Sequence, residues 1–76
     1  MVKMTVSLNA INDVKEFVNK MTKYDFDIDL VSGRYAIDAK SIMGIFSLDL
    51  SKPIELHAHT EDASAFKEDI KKFLVE

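Results

Sequence analysis

Three groups of residues carry side chains that could do chemistry. Ser41 stands directly before the apolar run Ile42, Met43, Gly44, Ile45 and Phe46. A serine there caps a helix through its hydroxyl. His57 and His59 stand two residues apart. On a strand that spacing points both imidazoles to one face, where together with a carboxylate they suit zinc. Asp25, Asp27 and Asp29 alternate in the same way. They fail as a calcium loop, because Leu30 stands where such a loop needs glycine and Ala36 where it needs a bidentate glutamate. Alternate strand residues also lie about 6.6 Å apart, too far to wrap one ion. These aspartates read as a solvated face that also discourages edge aggregation.

The chain holds no cysteine. Disulfides, thiolate zinc sites and cysteine nucleophiles are therefore excluded, and a reducing compartment is expected. No Ser-His-Asp arrangement or paired general acid and base is visible, so no intrinsic catalysis and no cofactor are expected. Ten basic and thirteen acidic residues give a net charge of −3, which argues against nucleic acid or an anionic membrane as partner. No apolar run approaches the roughly 20 residues of a membrane span. Met1–Leu8 alternates apolar and polar and lacks the apolar core of a signal peptide. With 76 residues, 47% hydrophobic and 30% charged, the expectation is one cytoplasmic domain over 1–76, stabilised by packing alone.

The elements that must position these side chains follow from periodicity. Val2, Met4, Val6 and Leu8 alternate with Lys3, Thr5 and Ser7, which predicts a strand with one buried face. Ile11, Val14, Phe17, Val18 and Met21 fall at helical spacing and predict a helix over about 11–23, capped by Asn9 or Asn12. Asp13 and Glu16 suit its first turns, and Lys20 and Lys23 its end. Phe26, Ile28 and Leu30 predict a second strand. Ser32-Gly33 predicts a tight hairpin, since glycine accepts a positive φ. Tyr35, Ile37 and Ala39 predict a third strand. A short helix opens at Ser41, with Ile45 and Leu48 directed to the core. Pro53 opens a fourth strand, with Ile54, Leu56 and Ala58 inward and Glu55, His57 and His59 outward. Thr60 is expected to cap a last helix, with Glu61 and Asp62 in its first turn and Lys71 and Lys72 in its last. Ala65, Phe66, Ile70, Phe73 and Leu74 form its apolar stripe.

The order is β-α-β-β-α-β-α. One apolar face per strand places helices on a single side of one sheet, an α+β open-faced sandwich. The first and second strands, joined through a helix, are expected to be parallel, with another strand inserted between them.

This order, together with Asp38-Ala39-Lys40-Ser41-Ile42-Met43-Gly44-Ile45-Phe46-Ser47-Leu48, resembles HPr, the histidine-containing phosphocarrier family of the bacterial sugar phosphotransferase system. The likeness runs from about Lys23 to Leu50 and weakens through the last strand and helix. It implies a four-stranded antiparallel sheet with helices on one face. The family carries a phosphorylated His in a G-L-H-A-R-P-A-like motif at the start of its first helix. Here the segment is Leu8-Asn9-Ala10-Ile11-Asn12-Asp13-Val14. Counting back from Lys23 without gaps, Ala10 stands at the His position, Asn12 at the Arg position and Asp13 at the Pro position. Ala10 has no nucleophile, Asn12 no cation to pair with phosphate, and Asp13 adds negative charge. The resemblance therefore implies a regulatory chain that is not a phosphohistidine carrier.

Ser41 matches the family's regulatory serine, which HPr kinase/phosphorylase phosphorylates and whose phospho form serves a catabolite-control transcription factor. The logic is that of Crh, the catabolite-repression HPr, which acts through its serine alone. The plainer reading is an N-cap worth about 1 kcal/mol. Ile42, Met43 and Phe46 match the patch on which the family docks partners, with Lys40 beside it. On that reading Ile42→Asp spares folding and abolishes binding. Phosphotransferase system enzymes are further implied partners. Two readings of His57 and His59 stay open, a metal site and cross-strand pairing with carboxylates. Two readings of function also stay open, a phosphocarrier with a relocated acceptor and a metal- or protein-binding module on the same fold.

Overall fold

A computed structural model describes residues 1–75. Four strands, β1 (Val2–Val6), β2 (Ile28–Ser32), β3 (Tyr35–Asp38) and β4 (Ile54–Ala58), form one sheet in the order β1-β4-β2-β3. Every neighbouring pair is antiparallel. β1 and β2 are therefore parallel with β4 inserted between them, as the helical connection requires. Helices α1 (Ile11–Met21), α2 (Ile42–Phe46) and α3 (Ser64–Asp69), with a 3-10 turn over Lys71–Phe73, supply the covering layer.

The apolar alternation buries Val6, Ile28, Leu30, Ile54, Leu56 and Ala58 on one face of the sheet. Against them pack Val14, Phe17 and Met21 of α1, Ile45 of α2, and Phe66 of α3. Phe17 meets Phe73 edge-to-face at 5.6 Å between centroids, a geometry that favours aromatic pairs. Tyr24, Phe26 and Phe66 form a second aromatic group. Gly33 has a φ of 59°, and no other described residue has a positive φ. That pattern is a two-residue type II′ connection between β2 and β3.

Several boundaries differ from the periodicity, each for a physical reason. α1 is capped by Ala10, not by Asn9 or Asn12, and ends at Met21. The Asn9 side chain instead accepts from the Ser7 hydroxyl at 3.2 Å. β2 begins at Ile28, because Phe26 turns into the aromatic group beside Tyr24 and Phe66. β2 is also interior to the sheet, so Asp29 guards no edge, and Asp25 and Asp27 lie before the strand. β3 ends at Asp38, although Ala39 continues the alternation and is buried. Tyr35, expected inside, is 71% exposed because nothing covers that end of the edge strand.

Thr60 does not cap the last helix. Asp62 instead accepts from the Ser64 N–H at 3.0 Å and from its hydroxyl at 2.7 Å, a turn that delays α3 to Ser64. Ala65 is consequently exposed and Ala63 buried. Beyond α3 the chain runs back along β1. Ser7 N–H donates to Phe73 C=O at 2.8 Å, Val75 N–H donates to Thr5 C=O at 2.9 Å, and Val6 bridges Leu74. The last described residues thus cover the outer edge of β1.

Candidate functional site

Ser41 is the N-cap of α2, with extended backbone at φ −101° and ψ 104°. Its Oγ accepts from the Gly44 N–H at 3.2 Å, and its C=O accepts from Ile45 N–H at 3.1 Å. The Ser41 N–H is held by Asp38 C=O at 3.0 Å, while the Asp38 carboxylate accepts from Lys40 N–H at 2.9 Å. Residues 38–41 therefore form a fixed turn that presents an exposed hydroxyl. Gly44 is matched to it, since a Cβ at that position would come within 3.2 Å of Ser41 Oγ.

The turn sits beside an apolar surface. α2 has five residues and buries only Ile45. Met43 is 77% exposed and Phe46 41%. Ile42 is half-buried and packs on the core, as does Leu48. That packing bears on the expected Ile42→Asp result, since the carboxylate would be set against apolar side chains at a cost to stability. Lys40 also departs from the role of a free cation. Its Nζ donates to the Tyr24 C=O at 2.7 Å, tying the start of α2 to the segment after α1.

The start of α1 has a different character. Ala10 offers no side-chain acceptor to the first turn. Asp13, three residues on, reaches back with Oδ2 to the N–H of Ala10 at 3.2 Å and of Asn9 at 3.3 Å. The carboxylate takes the N–H groups of the cap and of the residue before it, and its charge at the helix start repels an incoming anion. Asn12 is exposed, and beside it Ile11 is 63% exposed. This self-capping went unseen in the sequence, where Asp13 reads only as a favourable first-turn charge.

The imidazoles lie on the open face of the sheet. β4 runs beside β2, and Asp29 pairs with His57 in register. His59 Nε2 lies 2.9 Å from Asp29 Oδ2, and His57 Nε2 lies 2.7 Å from Glu55 Oε1. Each ring is thus matched to one carboxylate, and His57 is the less exposed of the two. Among the described residues no three His, Asp or Glu side chains are grouped to hold a metal ion. No helix among them is long and apolar enough to cross a membrane.

The fold and this geometry define a small α+β sandwich with one open sheet face and a serine-capped short helix. The family model PTS-HPr, described as the PTS HPr component phosphorylation site, matches residues 11–76. The chain belongs to the HPr phosphocarrier family of the phosphotransferase system, whose members are phosphocarriers and not enzymes of the ordinary kind. The match opens at Ile11, just past Ala10. The chain is similar to the crystal structure of HPr-C-His from Thermoanaerobacter tengcongensis, with 29% identity and a TM-score of 0.71. That match covers 93% of this chain and 84% of the other. It shares its fold with the phosphocarrier protein HPr from Bacillus anthracis str. Ames, with 23% identity, a TM-score of 0.72, and coverage of 97% and 96%. A search of curated proteins returned no match.

Proposed function

We propose that this chain is a regulatory, protein-binding member of its family that does not carry phosphohistidine at the start of α1. The observation that carries the reading is that helix start. Ala10 caps it and the Asp13 carboxylate takes the N–H groups of Ala10 and Asn9. A phosphoryl group there would find no nucleophile on Ala10 and no cationic side chain at Asn12, and the negative charge of Asp13 would stand against it. Signalling passes instead through Ser41, whose phosphorylation adds a dianion at an exposed turn beside Met43 and Phe46. The partners are proteins in the cytoplasm: an HPr-type kinase/phosphorylase, a catabolite-control transcription factor, and phosphotransferase enzymes that dock on the same surface.

The rival reading, a carrier with a relocated acceptor, would have to use His57 or His59. Both Nε2 atoms already face a carboxylate, Glu55 and Asp29 respectively. A phosphoryl group on either Nε2 would be held against negative charge, which opposes the transfer there.

Two incubations test the proposal. With ATP and the host's HPr kinase/phosphorylase, intact mass should show one added phosphate that Ser41→Ala abolishes. With phosphoenolpyruvate and enzyme I, no acid-labile phosphate should form. A stoichiometric phosphohistidine overturns the reading. Absence of phosphate on Ser41 removes the switch and leaves α2 as a binding surface alone.

A further inference from the structure

The two edges of the sheet are treated differently. The outer edge of β1 is covered by the chain's own residues 73–75. The outer edge of β3 has no strand against it among the described residues. β3 is also where the open face carries an unfavourable arrangement. Asp29 and Asp38 stand directly opposite each other across β2 and β3, and like charges at that spacing repel. Arg34, four residues before Asp38, makes no ion pair among the described residues.

Backbone direction decides what the free edge can bond. Ala39 N–H donates to Ile28 C=O at 2.8 Å, so it points toward β2. Antiparallel strands alternate, so Ile37 and Tyr35 also direct their backbone groups to β2. The two-residue hairpin closed by Ser32 and Tyr35 fixes the same parity. Ala36 therefore directs both N–H and C=O outward, as Asp38 does its N–H.

We propose that β3 pairs with β3 of a second copy of this chain, antiparallel about a two-fold axis at Ala36. The register is self-complementary. Ala36 faces Ala36 of the partner as a doubly hydrogen-bonded pair. Arg34 of each copy then faces Asp38 of the other, and the partner guanidinium neutralises the Asp29–Asp38 pair. On the helix side the exposed Tyr35 of each copy falls across Ile37 of the other, which is only half-buried in the monomer. The result is one continuous eight-stranded sheet with both helical layers on the same side. A second copy fits better than an unrelated strand because both charges and both apolar side chains are answered by one sequence. The five residues a side, 34–38, bury little area, so association is weak and concentration-dependent.

Sedimentation velocity across micromolar to millimolar protein should show reversible dimers. Arg34→Asp and Asp38→Arg should each give monomers, because each homodimer then opposes like charges. An equimolar mixture of the two variants should regain a dimer, since both cross-strand pairs between positions 34 and 38 then set one acid against one base. Asp38 also accepts from Lys40 N–H, so a measurement without any variant is paired with these. In the wild-type chain the Ala36 amide should exchange more slowly with solvent as concentration rises. Wild-type protein that stays monomeric overturns the proposal and leaves the edge to some other strand. A dimer that survives either single reversal overturns it, and so does an Ala36 amide whose exchange ignores concentration.

Discussion

The Tyr24 hydroxyl donates to Asp69 Oδ2 at 2.7 Å, while Lys20 Nζ holds the other oxygen of that carboxylate at 3.0 Å. One carboxylate thus joins the last turn of α1, the segment after it and the end of α3. Partial burial, followed by the bond to Asp69 and that residue's charge, pushes the Tyr24 pKa up to about 12. The Tyr24 hydroxyl, and after it Lys20, hold the Asp69 carboxyl below its usual value.

The signs give opposite legs to the stability profile. Asp69 is depressed, so its contribution is present above the unfolded carboxylate pKa and is lost as pH falls through the folded value. Tyr24 is raised, so its contribution is whole below the ordinary tyrosine pKa of 10.0 and is lost as pH rises through about 12. Urea midpoints across pH should therefore fall at both ends. Tyr24→Phe should flatten the alkaline fall and shrink the acid one. A Phe variant with an unchanged alkaline profile would show that Tyr24 is not the titrating group.

The start of α1 makes a second prediction. Asp13 supplies the only side-chain cap there, so Asp13→Ala should cost about 1 kcal/mol of stability. It should also leave Ala10 and Asn9 amides open to solvent. Amide exchange at those two positions should speed up while α1 beyond Val14 stays protected. Equal protection in variant and wild type would mean that the carboxylate does not hold these donors.

Both mis-set helix starts share one cause. Local sequence signals favour a capping residue at the junction, and Asn9, Asn12 and Thr60 all look suitable. In each case the donors are instead satisfied by a nearby aspartate, Asp13 three residues into α1 and Asp62 just before α3. The cap itself is then free to be alanine, at Ala10 and Ala63. Strand identity was legible because helices cover one face only, so period two survives in Val2–Val6, Ile28–Leu30 and Ile54–Ala58. Tyr35 shows the limit of that pattern. Alternation assigns its side of the sheet but not whether anything lies above an edge strand. At the candidate site, Ser41 and the exposure of Met43 and Phe46 were legible from the shortness of α2. The commitment of Lys40 to Tyr24 C=O was not, because it depends on a contact between residues distant in sequence.

The serine cap can be separated from any signalling role. Ser41→Ala removes the acceptor for Gly44 N–H and should cost about 1 kcal/mol. The urea midpoint should fall with the slope unchanged, since the fold and its exposed area stay the same. A changed slope would mean that α2 as a whole depends on this bond.

The docking surface proposed for α2 calls for a substitution that alters the surface and leaves the fold intact. Ile42 does not qualify, because it packs on the core. Phe46 is 41% exposed and keeps most of its ring covered, so its removal also costs packing. Met43 is 77% exposed, and substitutions at such positions usually change stability by less than about 0.5 kcal/mol. Met43→Glu should therefore leave the melting midpoint close to wild type. It should weaken binding of any partner that covers α2, because the new carboxylate must be desolvated in the interface. Titration calorimetry with the host's kinase/phosphorylase reads that loss directly. Unaltered affinity with unaltered stability would place the contact elsewhere and remove the apolar face of α2 from the binding surface.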